Sequence, residues 1–138
     1  MVFHVLTIFP DFFRGVFDTA VGPAEMVTEV RFPKLTDGHV WSFLKFRRRA
    51  QDWATVGVAA VASRSNGSVT DPAIALVNMG ATPLRAPAAE AAWAAGADPG
   101  ESADEGTDPP HDTNGSPAFR RHLARVLVRR AVEEAGRR

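Results

Sequence analysis

The chain has 138 residues, 16 basic and 16 acidic, and no cysteine. That length suits one domain and is short for an enzyme that must also enclose a large cofactor. Zero formal charge gives no global electrostatic case for nucleic acid or an anionic membrane, and missing thiols exclude disulfides, thiolate metal sites and cysteine nucleophiles within these residues.

No apolar run approaches the roughly 18 residues that suggest a membrane span. The apolar opening, Met1-Val-Phe-His-Val-Leu-Thr-Ile-Phe-Pro10, lacks a basic lead and a small-residue cleavage site. A signal peptide is therefore not expected, and a cytoplasmic location is. Residues 2–9 are predicted to form a short buried strand ended by Pro10. Residues 11–20 are mixed, and Gly22-Pro23 marks a turn. Residues 25–33 then alternate. Met26, Thr28, Val30 and Phe32 share one face, and Val27, Glu29 and Arg31 the other. That pattern predicts a half-buried strand closed by Pro33.

Asp37-Gly38 turns a polar loop over residues 34–39. In residues 40–46, Trp41, Phe43 and Lys45 face one way, and Val40, Ser42, Leu44 and Phe46 the other. Residues 53–62 are apolar on both faces, as in a central strand, and Gly57 with the alanines predicts a helix packed closely on it. Residues 63–72 read as a loop with Asn66-Gly67 as a hairpin signal, and residues 73–79 as another apolar strand.

The remainder reads as helix and loop. Pro87 suits the first turn of a helix that runs through Ala95 and ends at Gly96. Residues 97–115 hold six acids, no lysine or arginine, three prolines and three glycines, which predicts a solvated loop. Ser116 suits an N-cap and Pro117 the first helical position. Phe119, Leu123, Val126 or Leu127, and Ala131 make a stripe for packing on the sheet, with the arginines of this segment in water. Arg129, Arg130, Arg137 and Arg138 lie where cations complement a helix dipole. A nucleic-acid helix would call for aromatic interleaving and net basicity, and both are missing. The expected class is α+β, a three- or four-stranded antiparallel sheet with helices packed on one face. Residues 1–24 are expected to be an N-terminal segment rather than a domain, and 25–138 a domain containing the acidic loop.

Chemical motifs are sparse. There is no glycine-rich phosphate loop, serine nucleophile elbow or His-x-x-x-His pair. His4, His39, His111 and His122 are scattered, and Asp108, His111 and Asp112 make at most a weak metal cluster, so no metal is expected. What stands out is a charged elbow between two apolar strands. It carries Lys45, Arg47, Arg48, Arg49 and Asp52, with Phe46 and Trp53 as its rings. Two readings stay open on the residues alone. One is a solvated basic turn. The other is a place where fixed cations stabilise the negative N1/O2 edge of a reduced flavin and an aromatic ring packs on its face.

From about Asp11 onward the chain resembles the C-terminal part of the FAD-binding, medium subunit of molybdenum hydroxylases, the carbon monoxide, xanthine and aldehyde dehydrogenase type. Four segments carry the resemblance in the family's order. Residues 11–33 include Gly-Pro-Ala-Glu-Met-Val-Thr-Glu-Val-Arg-Phe-Pro33, which is similar to the run joining the flavin domain to the C-terminal domain. Lys45-Phe-Arg-Arg-Arg-Ala-Gln-Asp-Trp-Ala54 resembles the family's Lys-Phe-Ala-Arg-Arg-x-Gly-Asp-Phe-Ala stretch. Ala75-Leu-Val-Asn-Met-Gly-Ala-Thr-Pro-Leu-Arg-Ala86 resembles its last strand and turn. Asp108-Pro-Pro-His-Asp112 with residues 116–131 resembles its lead-in and terminal helix.

The resemblance implies a domain that closes over a flavin held by two preceding domains. Lys45 and Asp52 are then the first flavin-proximal candidates, and Arg48 and Arg49 the next. It also implies partners: a large subunit with the molybdenum cofactor and a small one with iron–sulfur clusters. The family's glycine-rich FAD loops precede the matching region. FAD binding is therefore expected only with upstream domains or partners, and the chain is expected to be a truncated domain, inactive alone. Arg47, Gln51, Asn114 and Phe119 depart from the family's usual alanine, glycine, histidine and tyrosine. A non-catalytic interaction domain, docking through its helical face, is the alternative. Residues 1–10 separately resemble the Val-Leu-Thr-x-Phe-Pro start of tRNA (guanine-N1)-methyltransferases, which implies a third function.

Overall fold

The computed structural model describes residues 2–4, 26, 28–31, 34–35, 37–65 and 67–137. Its elements are β1 (Val2–His4), β2 (Glu29–Arg31), β3 (His39–Phe46), β4 (Val56–Ser65), β5 (Ser68–Val77), β6 (Leu84–Arg85), α1 (Pro87–Ala94) and α2 (Pro117–Gly136). β1 and β2 pair in parallel as a small sheet. β3 to β6 form a four-stranded antiparallel meander in chain order. The expected α+β class is what the chain adopts.

Several boundaries differ from the sequence reading. Residues 63–72 are mostly strand rather than loop. Ser65 pairs with Ser68, so only two residues turn the hairpin. Gly67, at φ +81°, supplies the left-handed conformation such a turn needs, and Asn66 lies outside the described residues. Pro72 is tolerated inside β5 because the ladder slips there: Val61 pairs with Ala73, but Ser63 pairs with Thr70. Proline cannot donate to a ladder, and a bulge removes the demand. Residues 53–55 belong to the elbow rather than to β4, and residues 78–79 lie beyond the end of β5. β6 is too short to show alternation in sequence and is defined only by pairing with Ala75 and Leu76. The two N-terminal strands are three residues each; residues 5–9 and 25, 27, 32 and 33 lie outside the described residues, and Met26 and Thr28, expected in a half-buried strand, are exposed and outside β2.

Both helices cover one sheet face, α2 over β3 and β4 and α1 over β5. The inward residues of the sheet are Val40, Val56, Val58, Ala60, Ala62, Ile74 and Leu76, all buried. Leu123, Ala124, Leu127, Val128, Ala131 and Ala135 of α2 face them in one cluster. Alanines on both surfaces let the helix approach the sheet closely, as the alanine run predicted, but Gly57 pairs with Lys45 on the opposite face, where a Cβ would meet Val77 rather than a helix. The helical stripe is wider than expected because Ala124 and Val128 join it, while Phe119 stays 41% exposed at its edge. The opposite sheet face carries Trp41 and Phe43, both substantially exposed.

The start of α2 and the end of α1 follow the sequence, whereas the last turn of α2 holds none of the basic residues expected to complement its dipole. Ser116 accepts from the Phe119 N–H at 3.2 Å, with Pro117 in the first turn of α2. Gly96 takes φ +72° just past α1. Glu90 on α1 accepts from the Ile74 N–H at 2.8 Å and from Arg85 Nε at 2.5 Å. One carboxylate thus ties α1 to both β5 and β6.

The acidic segment is not the solvated loop that its composition predicts. It has no helix, but it lies along α2 and pairs with its arginines. Asp98 accepts from Arg129 at 2.5 Å, and Asp104 takes both Nε and Nη2 of Arg125 at 2.7 and 3.0 Å. Arg121 donates to the Thr107 carbonyl at 3.3 Å. Residues 121, 125 and 129 recur every fourth position, so one ridge of the helix holds the segment. Pro99, Gly100 and Ala103 are buried beneath it.

Gly100 lets the backbones meet. A Cβ there would stand 2.7 Å from the Arg125 carbonyl oxygen, which is backbone and cannot step aside. We expect Gly100→Ala to cost about 1–3 kcal/mol, as overpacking does, and to lower the urea midpoint accordingly.

The arginine hydrogen bonds hold the Asp98 and Asp104 carboxyls below the usual carboxylate range. The folded values are depressed, so these groups contribute their stability fully above the unfolded value of about 3.9 and lose it as pH falls through the lower folded values. Thermal melts should therefore weaken below about pH 4. Asp104→Asn should lower Tm at neutral pH and flatten that acid decline. An unchanged acid decline in the variant would remove Asp104 from its cause.

Candidate functional site

The elbow lies between β3 and β4, where Phe46 pairs with Val56. Its neck is closed by the Thr55 N–H donating to the Phe46 carbonyl at 2.8 Å. At its tip, the Asp52 N–H donates to the Arg49 carbonyl at 3.2 Å. Strand alternation up to the neck and this turn beyond it decide where each candidate side chain goes.

Lys45 is paired with Gly57 and is half-buried, on the same sheet face as Trp41 and Phe43. Arg47, Arg48 and Arg49 are exposed, and Asp52 is half-buried. Arg48 leans the other way, toward α2, donating to the Thr113 carbonyl at 3.4 Å. The four sequence candidates therefore share one elbow but spread around its rim. Of the two rings, Phe46 is engaged edge-on with Phe119 at 6.0 Å and 80°. Trp53 is 94% exposed, and its indole face is open to a ligand.

Beneath the elbow is a charged group that sequence reasoning missed. Arg120 is fully buried. Its Nη1 donates to the Thr55 carbonyl, and its Nη2 to Asp112 Oδ1 at 2.5 Å. Asp112 also accepts from the Asn114 N–H at 2.7 Å, closing an Asx-type turn. That hydrogen bond first, with Arg120 helping, holds the Asp112 carboxyl below the usual range. Gly115 completes the turn under the elbow, where a Cβ would lie 3.7 Å from Thr55 Cγ2. Asp112 is thus engaged with the protein itself rather than with His111 and Asp108.

Asn78 was also missed. It follows β5 at φ +63°, a conformation asparagine tolerates better than most residues. Its Nδ2 donates to the Ala54 carbonyl at 3.0 Å and to the Thr55 carbonyl at 3.4 Å. An arginine among five on one helix gives no sign that it alone turns inward. One available signal was its place beside the packing stripe, adjacent to Phe119.

These residues fit a flavin in part. Exposed guanidiniums and an open indole suit a ring with a negative edge. No glycine-rich cradle for a diphosphate is found among the described residues.

The CO dehydrogenase flavoprotein C-terminal domain family matches residues 41–135. The carbon monoxide dehydrogenase medium chain of Afipia carboxidovorans is 33% identical over 132 residues, which are 91% of this chain and 46% of that protein. The corresponding chain of Hydrogenophaga pseudoflava is 30% identical over 131 residues, 90% of this chain and 46% of that one. In structure, a reconstituted CO dehydrogenase from Oligotropha carboxidovorans superposes with a TM-score of 0.83 at 32% identity, over 94% of this chain and 48% of that chain. The chain spans about half the length of the curated relatives it matches. With more than half its residues matched and the meander, helices and elbow in place, the chain belongs to the CO dehydrogenase flavoprotein C-terminal domain family.

Proposed function

We propose that this chain is the C-terminal part of the FAD-binding subunit of a molybdenum-dependent hydroxylase, and that its elbow borders the flavin. The observation that carries the reading is the coincidence of the family match with an elbow held at its neck, displaying three arginines and an exposed indole. A bound flavin would supply the redox chemistry. The chain's own residues have simpler tasks. Arg48 and Arg49, with Lys45 on the other rim, favour negative charge near the ring. Trp53 covers apolar ring surface and keeps water from it. Asp52 fixes the turn through its backbone, and its carboxylate is a hydrogen-bond acceptor for a ring N–H. The diphosphate is left to an upstream half of the subunit. In this reading the partners are a large subunit with a molybdenum cofactor and a small iron–sulfur subunit.

A chimera tests this. In it, the chain replaces the corresponding half of the Afipia carboxidovorans medium chain. We expect the purified chimera to retain flavin, by its visible absorbance, and the isolated chain to carry none. Within the chimera, replacing both Arg48 and Arg49 by serine should weaken flavin binding roughly tenfold, about 1.4 kcal/mol. Stoichiometric flavin on the isolated chain would contradict the divided site, and full flavin affinity in the double variant would remove the elbow from it.

A further inference from the structure

We propose that Arg120 is a positioning residue, which with Asp112 and Asn78 fixes the exit arm of the elbow and, through its closed neck, sets where its cations and indole stand. This rests on the flavin reading for its purpose, but not for its geometry.

A buried guanidinium is costly to desolvate, and a lone carboxylate seldom repays that cost in stability. Arg120 is fully buried, and its Nε has no hydrogen-bond partner. An apolar side chain at this place on α2 would avoid both penalties. What arginine offers instead is a rigid fork that binds two acceptors in fixed directions. One acceptor is the carboxylate of Asp112, itself oriented by the Asn114 N–H. The other is the Thr55 carbonyl, on the residue whose N–H closes the elbow's neck.

The same carbonyl also accepts from Asn78, which holds Ala54 as well. The exit arm is therefore gripped from α2 on one side and from the end of β5 on the other. The entry arm joins the same bracket: Arg48 donates to Thr113, within the turn that Asp112 anchors. Arg47, Arg49 and Trp53 then project from a loop whose exit arm is held by Arg120 and Asn78, and whose entry arm is held to it at the neck and by Arg48 on the Thr113 carbonyl. A cation within a few ångströms of a ring acts steeply with distance, so loss of that bracket would blur the elbow's electrostatics without changing its composition.

Amide hydrogen exchange on the isolated chain tests the geometry. In Arg120→Met, the Asp52 and Thr55 amides should exchange at least roughly tenfold faster, beyond any change at Val58 and Leu76 in the ladders. Arg120→Lys, which keeps the charge but reaches one acceptor at a time, should restore part of the protection. Asp112→Ala, truncating a partly exposed side chain, gives the same comparison if Arg120→Met does not fold. Equal acceleration at elbow and ladder amides, or no acceleration at the elbow, would overturn the proposal. The readout needs no flavin. A chimera without flavin but with this exchange pattern would sink the functional reading and leave the positioning role standing.

Discussion

One buried guanidinium ties the start of α2, the turn at Asp112 and the exit arm of the elbow together. Arg120 sits in the first turns of α2, beneath the start of β4 and beside the turn over residues 112–115. Its burial makes sense only if all three meet there. The N-cap at Ser116 sets the axis on which Arg120 points inward. The Asx turn at Asp112 presents a carboxylate at the right height. The β3–β4 pairing delivers the Thr55 carbonyl. A charge in an apolar setting tolerates little displacement, because a lost partner leaves it uncompensated. Arg120 thereby turns loose chain segments into one fixed junction.

The balance of charge takes on meaning in the same way. Zero net charge gave no global electrostatic case for nucleic acid or an anionic membrane, but it did not reveal that acids and bases are segregated in sequence and rejoined in space. Residues 97–112 bring acids to one ridge of α2, and Arg120, Arg121, Arg125 and Arg129 receive the segment. Exposed pairs of this kind contribute little singly. Their greater effect is geometric. They hold Gly100 against the helix backbone and carry the chain from α1 to the Asp112 turn in register with Arg120. This use of the arginines gives the basic helix a task within the chain itself.

How much of this was legible depended on the range of the signal. Alternation in residues 40–46 and the apolar run over residues 53–62 showed two strands, because side-chain period is local. Ser116-Pro117 and Gly96 showed helix ends for the same reason. The hairpin at Gly67 was visible, but its length was not. Pro72 suggested a loop until the bulge at Val61–Ser63 explained how a strand could keep it. β6 has two residues and no local pattern at all. The candidate site was legible as a charged elbow rather than in how it is built. Lys45, Arg48, Arg49 and Asp52 stood out as a charged interruption. Arg120 did not, since it looked like its neighbours and its partner Thr55 lies 65 positions away. Composition likewise misread the acidic segment, because solvation was inferred from charge without the opposing arginines in view.

The elbow's exposed arginines have limited effect as long as water surrounds them. Screening and a high dielectric weaken a surface charge within about a nanometre. In the proposed reading, the same groups act strongly once another part of the subunit covers them and water leaves. That arrangement places an unusual demand on this half of the site. Its charges must already stand in the right place before their strongest interaction exists, since a loop ordered only on assembly would spend binding energy on its own entropy. A neck closed by Thr55 and Phe46, gripped by Arg120 and Asn78, meets that demand in advance. Burying one cation beneath the elbow is then the structural condition for leaving three others exposed upon it.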